Sequence, residues 1–236
     1  MPPYPWRAMT SEPAIELRGL SRYFGERTAL REVSLEVPAG ATVAVLGRNG
    51  AGKSTLLRIL ASLLRPHAGE VTVFGEALPR RAFAVRAKVG LLAHEPLLYR
   101  ELTARENLEY HARLHRVGSE RVGEVLEAVE FERRADDPVR TLSRGMVQRV
   151  AVCRAVLHRP SLLLLDEPRA NLDPAASALV EPLIGRPSGA TRVLTSHDPR
   201  AALAEADMVL ALRDGRVAYA GAPGGFSDER LRELYA

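Results

Sequence analysis

The sequence predicts an α/β fold with three parts: a phosphate-loop core with a mixed sheet, an antiparallel β subdomain and an inserted α-helical subdomain. Three observations predict it. Short apolar runs of strand type alternate with helical patterns in both halves of the chain. A glycine-rich segment stands between one such strand and a helix at residues 47–55. An almost wholly helical pattern occupies residues 94–158.

The composition is that of a globular protein. A length of 236 residues fits one large or two small domains. Hydrophobic residues make up 46% of the chain, which is enough to form a buried core. No apolar run approaches the roughly 18 to 20 residues that cross a bilayer. The formal charge of +4 comes almost wholly from arginine, because the only lysines are Lys53 and Lys88. No run of five or six basic residues favours nucleic acid, so no nucleic-acid partner is expected.

Two features bear on location. Residues 1–12 are proline-rich and lack the apolar stretch of an export signal, so we predict a disordered lead. The single Cys153 cannot form an internal disulfide, and its apolar helical context favours a small buried side chain over a redox site. Both features favour a cytoplasmic protein.

The first predicted strand, residues 14–18, is followed by the aromatic pair Tyr23 and Phe24. Either ring could stack on an adenine base, because stacking needs no base-specific contact. A core aromatic explains the pair equally well. Residues 33–37 then alternate in polarity before a turn, so we predict an antiparallel hairpin between them and residues 41–46.

The glycine-rich segment fits the phosphate-binding pattern G-x-x-x-x-G-K-[ST]. Glycines let its backbone turn tightly and point N–H groups inward, and the following helix, apolar as far as Leu63 and Leu64, directs its positive end into the loop. We expect Lys53 to reach the β- and γ-phosphates of a nucleotide and the Ser54 hydroxyl to bind Mg²⁺. An ordinary glycine-rich turn is the alternative. The candidate loop residues are Gly47, Arg48, Asn49, Gly50, Ala51, Gly52, Lys53, Ser54 and Thr55.

Residues 94–158 are predicted to form the helical subdomain. Thr103 and Glu106 match a capping box at the start of one helix, Ser119 precedes a second, and residues 143–157 give a third. The predicted domain limits are 13–93 and 159–222 for the core with its β subdomain, 94–158 for the helical subdomain, and 223–236 for a C-terminal helix capped by Ser227.

A buried strand of leucines, residues 162–165, ends in two acids. Ligands of α/β sheets lie at the carboxyl ends of strands, and in phosphate-loop proteins a strand-end Asp helps to hold Mg²⁺. Asp166 is therefore the second metal candidate, and Glu167 is the candidate base that polarises an attacking water. Two solvated acids in a loop are the alternative.

A short helix is predicted next. Asp173 and Pro174 fit its N-cap and first position, and Pro182 is predicted to end it early. 

A further strand, residues 192–195, precedes His197. Its imidazole could hydrogen-bond the γ-phosphate or the water, or it could be a structural histidine. Residues 208–212 and 216–219 are predicted to form a hairpin.

Together these elements resemble the ATP-binding cassette (ABC) family over about residues 15–221. The matching elements, in family order, are Phe24 as the adenine-stacking aromatic, Gly47 to Thr55 as the phosphate loop, Leu142 to Met146 as the signature, Leu162 to Glu167 as the metal-and-base strand, Asn171 to Asp173 as the dimer loop, and His197 as the switch histidine. The resemblance implies a RecA-like core, ATP and Mg²⁺ as cofactors, and ATP hydrolysis with Lys53, Glu167 and His197 as catalytic residues.

The resemblance also implies a dimer. Ser143 begins a helix, so its hydroxyl, the Gly145 amide and the helix dipole would form a second anion-binding end. That end would bind ATP held by the phosphate loop of another copy, with Asp173 at the same interface. Two copies would close head to tail around two nucleotides, and hydrolysis would release them.

Three positions depart from the family pattern. His94 stands where the family usually has a glutamine that touches Mg²⁺, so it is a candidate metal contact whose charge depends on pH near neutrality. Arg144 and Met146 replace the usual first glycine and final glutamine of the signature. Arg144 adds bulk and charge near an incoming triphosphate.

Residues 91–99 and 101–108 are similar to the haem-exporter ATP-binding subunit of cytochrome c maturation, which also has a histidine at the position of His94. This finer resemblance implies haem export in cytochrome c biogenesis. The alternative is the ATPase of another efflux transporter, for drugs or lipids.

The family resemblance implies separate transmembrane permease subunits as partners, with a coupling helix received by residues 94–116, and a peripheral place on the cytoplasmic face of the cell membrane. Soluble cassettes that act on nucleic acid or ribosomes usually have two fused cassettes, a long coiled coil or zinc-binding cysteine pairs, which this sequence does not show. A regulatory module without turnover would lack a base, whereas Glu167 is present.

Overall fold

The computed structural model describes residues 12–236, so the disordered lead predicted for residues 1–12 lies, apart from Glu12, outside the described residues. The chain divides into two compact units. Of the described residues, unit 1 contains 12–86 and 191–236, and unit 2 contains 87–190. The subdomain limits predicted at residues 94 and 158 stay a prediction.

Unit 1 combines two groups of strands with helices. Its elements are β1 (Pro13–Phe24), β2 (Arg27–Pro38), β3 (Thr42–Leu46), α1 (Lys53–Leu60), β4 (Ala68–Val73), β5 (Glu76–Leu78), most of α2 (Ala82–Lys88), β8 (Thr191–Thr195), α7 (Pro199–Glu205), β9 (Met208–Arg213), β10 (Arg216–Gly221) and α8 (Asp228–Tyr235).

Four strands of unit 1 form the antiparallel sheet, in the order β2-β1-β4-β5. Its apolar side chains, among them Ile15, Leu17 and Val37, are buried as the alternation in β1 and β2 predicts. The predicted hairpin between residues 33–37 and 41–46 is wrong, because β2 pairs with β1 while β3 enters a different sheet.

Strand β3 is the centre of the second group of strands in unit 1. It pairs in parallel with β8 on one side and β9 on the other, and β10 pairs antiparallel with β9. All five residues of β3 are buried, as a central strand of a parallel sheet requires. The predicted hairpin of β9 and β10 is confirmed, and the sheet is mixed.

Unit 2 contains two parallel strands and four α-helices among its described residues. Its elements are β6 (Val89–Leu92), α3 (Ala104–His115), α4 (Glu120–Ala128), α5 (Arg144–Val156), β7 (Leu162–Asp166) and α6 (Pro174–Ile184). The capping box of α3 is confirmed: the Thr103 hydroxyl accepts from the Glu106 N–H at 3.1 Å, and the Glu106 carboxylate accepts from the Thr103 N–H at 2.8 Å.

Two predicted helix ends are wrong. Helix α6 continues through Pro182 to Ile184, because Val180 and Ile184 are buried on either side of the proline and packing holds the last turn. Helix α1 ends at Leu60, and Leu63 is 56% exposed rather than part of an apolar face. Among residues 12–236 no helix combines the length and apolar character that a bilayer crossing requires.

Candidate nucleotide-binding and catalytic site

In unit 1 the phosphate loop joins the carboxyl end of β3 to the amino end of α1. Gly47 has φ +145° and Gly52 has φ +108°, backbone conformations that residues other than glycine rarely adopt. A Cβ at Gly47 would collide with the backbone oxygen of Leu212, and one at Gly52 with that of Ala29. The two glycines therefore let the loop turn against its neighbours.

Lys53 lies over this loop. Its ammonium donates to the backbone oxygens of Gly47 at 2.6 Å and Arg48 at 3.1 Å. The N-cap of α1 is Gly52, which has no side chain to accept from the first N–H groups, so the cap leaves these donors to an anionic ligand. Ser54 is exposed in the first turn.

The aromatic pair at the end of β1 is on the surface. Phe24 is 46% exposed and Tyr23 is 39% exposed, so neither is a core aromatic. The Arg22 guanidinium lies 4.7 Å from the centre of the Phe24 ring, and Tyr23 packs against His67. The exposed face of the Phe24 ring is therefore accessible to a base.

His197 lies at the same sheet edge as the phosphate loop. Ala44 of β3 pairs in parallel register with Leu194 of β8, so both strands run toward the edge at which the loop and His197 follow them. His197 is exposed, and Asp198 next to it caps α7. In unit 1 the His197 imidazole and the phosphate loop therefore both follow the carboxyl ends of neighbouring parallel strands.

In unit 2 the two acids stand at the carboxyl end of β7. Asp166 is buried at the strand's last position, and the Glu167 side chain is 18% exposed. Glu167 has φ +57°, a conformation that costs free energy for a residue with a side chain and is often found at functional sites. The alternative of two solvated acids is therefore not what the structure shows.

His94 follows β6, which pairs in parallel with β7. The register places the end of β6 beside the end of β7, and His94 Nδ1 lies 3.8 Å from Glu167 Oε2. The imidazole therefore stands next to the candidate base.

The signature segment begins α5 of unit 2. Ser143 is the N-cap, with its hydroxyl accepting from the Met146 N–H at 3.3 Å. A Cβ on Gly145 would lie 2.8 Å from the Asn171 backbone oxygen, so the helix start packs closely on the segment after Glu167. The Gln148 side chain donates to the Pro168 backbone oxygen at 3.1 Å and joins α5 to the same segment.

A cleft of about 750 Å³ in unit 2 brings several of these residues together. Its lining includes His94, Arg144, Gln148, Glu167 and Asn171. Asp173 lies beyond it as the N-cap of α6, accepting from the Ala176 N–H at 2.7 Å, with Pro174 at the first helical position as predicted.

A family model described as ABC transporter matches residues 30–170, which is more than half of the chain. The chain belongs to the ABC transporter family. It has the fold of that family's ATPase domains, which confirms the predicted α/β class with a phosphate-loop, RecA-like core.

Solved structures and relatives agree with this assignment. An ATP-binding subunit of an ABC transporter is 29% identical with a TM-score of 0.84, covering 94% of this chain and 98% of that one. The dimeric ATP-binding cassette MJ0796, in a post-hydrolysis state bound to ADP and Pi, is 29% identical with a TM-score of 0.80, covering 89% and 98%.

Among relatives, the phosphonates import ATP-binding protein PhnC of Anaeromyxobacter dehalogenans is 38% identical over 94% of this chain and 48% of its own length. The Nod factor export ATP-binding protein I of Sinorhizobium fredii is 36% identical over 94% and 66%. The daunorubicin resistance ATP-binding protein DrrA3 of Streptomyces coeruleorubidus is 38% identical over 88% and 67%. The chain thus spans about half to two thirds of the length of these relatives.

Each unit of this ABC ATPase domain contributes an oxygen donor of a kind that Mg²⁺ binds. The Ser54 hydroxyl and the Asp166 carboxylate are hard ligands of the kind that Mg²⁺ takes beside phosphate and water oxygens. Among the described residues, no three His, Cys, Asp or Glu side chains cluster as a metal site of their own.

Cys153 is buried, and burial raises the pKa of its thiol to about 12, which confirms a structural cysteine.

Sequence reasoning missed two residues of this ABC ATPase domain that lie against the phosphate loop. The Arg27 guanidinium lies 2.6 Å from where a Cβ on Gly50 would be. The Tyr235 hydroxyl on α8 accepts from the Gly47 N–H at 3.3 Å. No motif marks either residue, because both contacts depend on how distant segments pack.

Proposed function

We propose that the chain is the ATP-hydrolysing subunit of an ABC exporter, working in pairs beneath separate transmembrane subunits at the cytoplasmic face of the cell membrane. The observation that carries the proposal is Glu167, a mostly buried carboxylate in a strained conformation at the end of a buried strand. A nucleotide-gated module without turnover would not need this residue.

Binding begins at the phosphate loop. ATP supplies an anion for the loop N–H groups and the α1 amino end, and the Lys53 ammonium exchanges the Gly47 and Arg48 oxygens for the β- and γ-phosphates. The exposed Phe24 ring is proposed to stack on the adenine.

The chemistry is hydrolysis of the terminal phosphate. Glu167 accepts a proton from the attacking water, and His197 hydrogen-bonds the γ-phosphate or the water. Ser54 and Asp166 would hold Mg²⁺, which supplies neutralising charge at the phosphates. His94, 3.8 Å from the Glu167 carboxylate, can orient it, while a contact from His94 to the metal stays a prediction.

The second copy completes the site. The Ser143 hydroxyl accepts from the Met146 N–H and so keeps its own proton to donate to a γ-phosphate held by the partner. The Gly145 amide and the α5 amino end add to this, and Asp173 follows at the dimer loop. The dimeric solved cassette supports this pairing.

Two relatives support export, since their names refer to Nod factor export and daunorubicin resistance, whereas a third is named for phosphonate import. The finer proposal is haem export in cytochrome c biogenesis, supported by the similarity of residues 91–108 and by His94. Efflux of a drug or lipid is the alternative. Purification of the native complex and identification of its transmembrane subunits distinguishes the two.

Replacement of the proposed base tests the function. We expect Glu167→Gln to lower ATP turnover by roughly 10²-fold or more while ATP still binds, because the amide cannot accept the proton. Phosphate release and equilibrium binding of ATP measure the two effects.

Glu127→Gln, an exposed acid on α4, is the matched control and should hydrolyse ATP normally. Near-normal hydrolysis by Glu167→Gln would refute the assignment of the base. Binding of RNA or ribosomes by the purified chain, with no transmembrane subunit in the native complex, would favour a soluble cassette instead.

A further inference from the structure

Helix α8 reaches the phosphate loop through Tyr235. The tyrosine hydroxyl accepts a hydrogen bond from the Gly47 N–H at 3.3 Å. The Arg48 guanidinium donates to the Ala236 backbone oxygen at 2.8 Å, and Arg213 of β9 donates to the backbone oxygen of Glu233. The last turn of α8 is thus attached both to the loop and to the neighbouring strand.

Tyr235 and Lys53 both hydrogen-bond to the same loop residue, Gly47. Gly47 receives the Lys53 ammonium on its carbonyl oxygen at 2.6 Å and gives its N–H to Tyr235. With φ +145° and the backbone oxygen of Leu212 against its α-carbon, Gly47 has little room for another arrangement. The orientation of this residue therefore sets where the loop begins and where the ammonium lies.

We infer that Tyr235 is a positioning residue for the phosphate loop, and that α8 thereby tunes the affinity of the loop for a nucleoside triphosphate. The inference rests on the proposed binding of ATP at this loop. Nothing in it requires Tyr235 to touch the nucleotide.

The environment of Tyr235 suits an acceptor that stays neutral. Burial raises the pKa of Tyr235, and the Gly47 N–H acts in the opposite direction with smaller effect, so the hydroxyl keeps its proton at neutral pH. Leu234 beside it is buried and anchors the helix. A cavity of about 590 Å³ lies beside this contact, between loop residues 48–51, the β9–β10 turn and Leu234 of α8.

The test is Tyr235→Phe, which removes the hydroxyl and keeps the ring. One intramolecular hydrogen bond corresponds to about a 3- to 10-fold change in an equilibrium constant, so we expect KM for ATP and Kd for a non-hydrolysable ATP analogue to rise by about that factor, with kcat within twofold. A purely structural role would lower the melting temperature without this split between KM and kcat.

Tyr219→Phe is the matched control, because its hydroxyl donates to the Ala222 backbone oxygen within unit 1 instead of binding the loop. It should leave KM and Kd unchanged. An unchanged KM and Kd in Tyr235→Phe, or a fall in kcat alone, overturns the inference. If the unsubstituted chain does not bind the analogue, the proposed function fails as well, so the two failures are distinguishable.

Discussion

Gly145 shows how a single hydrogen atom permits the signature segment to pack. A Cβ there would lie 2.8 Å from the Asn171 backbone oxygen, a separation that forces the start of α5 away from the segment after Glu167. Overpacking of this kind destabilises the folded state by roughly 1 to 3 kcal/mol. Alanine has a higher helix propensity than glycine, which offsets about 0.5 to 1 kcal/mol of that cost. We expect Gly145→Ala to lower the free energy of unfolding by about 1 kcal/mol, measured by denaturant titration.

The matched control is Gly123→Ala on α4, where a Cβ meets nothing within 4 Å. That variant should be more stable than the unsubstituted chain, by up to about 1 kcal/mol. Equal effects of the two substitutions would show that the Gly145 backbone approach carries no packing cost.

At this scale the sequence predicts the residues whose chemistry is written in a motif. Lys53, Asp166 and Glu167 are recognisable because a phosphate loop and a strand-end acid pair have fixed spacing. Tyr235 could not be recognised in this way, because its role depends on a contact between α8 and the Gly47 N–H, which are 188 residues apart in the chain. The placement of His94 beside Glu167 likewise required the register of β6 and β7.

Among elements, α3 and the turn that follows α5 meet through histidines. The rings of His115 and His158 stack with centres 3.9 Å apart, and His158 Nε2 donates to the Val89 backbone oxygen at 3.1 Å. Among the described residues, His111 Nε2 and His158 Nδ1 are buried without a hydrogen-bond partner. Arg154 of α5 lies in the same cluster and donates to the Leu91 backbone oxygen.

This cluster makes unit 2 sensitive to acid. Burial, followed by the positive charge of Arg154 and by His115, lowers the pKa of His111 to about 4, and burial likewise lowers the pKa of His158 to about 4. The unfolded chain binds protons at these histidines near pH 6.5 and the folded chain does not, so their contribution to stability is complete above that pH. It is lost as the pH falls from about 6.5 toward 4.

We expect His111→Leu to reduce the dependence of unfolding free energy on pH by roughly 1 kcal/mol per pH unit between pH 4 and 6.5, allowing for partial exposure. Stability at pH 7.5 should not fall, because the substitution removes a buried nitrogen without a partner. Urea titrations across this range measure both. Leu114→Gln, at an exposed residue of α3 that does not titrate, should keep the original slope. The same unchanged slope in His111→Leu would contradict the assignment.

Elements were predictable where local chemistry decides them and not where partners do. The Thr103 capping box and the Ser227 cap follow from a few adjacent residues, and both are confirmed. The pairing partner of β2 cannot be predicted from adjacent residues, because alternating polarity identifies a strand but not the strand beside it. Helix α6 passes Pro182 because burial of Ile184 outweighs the proline's local cost.

For the whole molecule, the decisive fact is that the phosphate loop lies in unit 1 and the signature segment in unit 2. If each nucleotide is held by the loop of one copy and Ser143 of another, a chain defective in one segment can still supply the other. A copy with Lys53→Ala retains its signature, and a copy with Ser143→Arg retains its loop. One composite site in the mixed dimer is then intact.

We therefore expect each variant alone to be inactive and an equal mixture to recover ATP hydrolysis, up to roughly a quarter of the unsubstituted rate, since half of randomly paired dimers are mixed and each has one intact site. Activity is measured against total dimer, with mixed dimers quantified through two different affinity tags. The control is a chain with both substitutions mixed with either single variant, which leaves no intact site. If mixed dimers form and hydrolysis stays absent, Ser143 does not act across the dimer, because a site confined to one copy is the arrangement that such a mixture cannot repair.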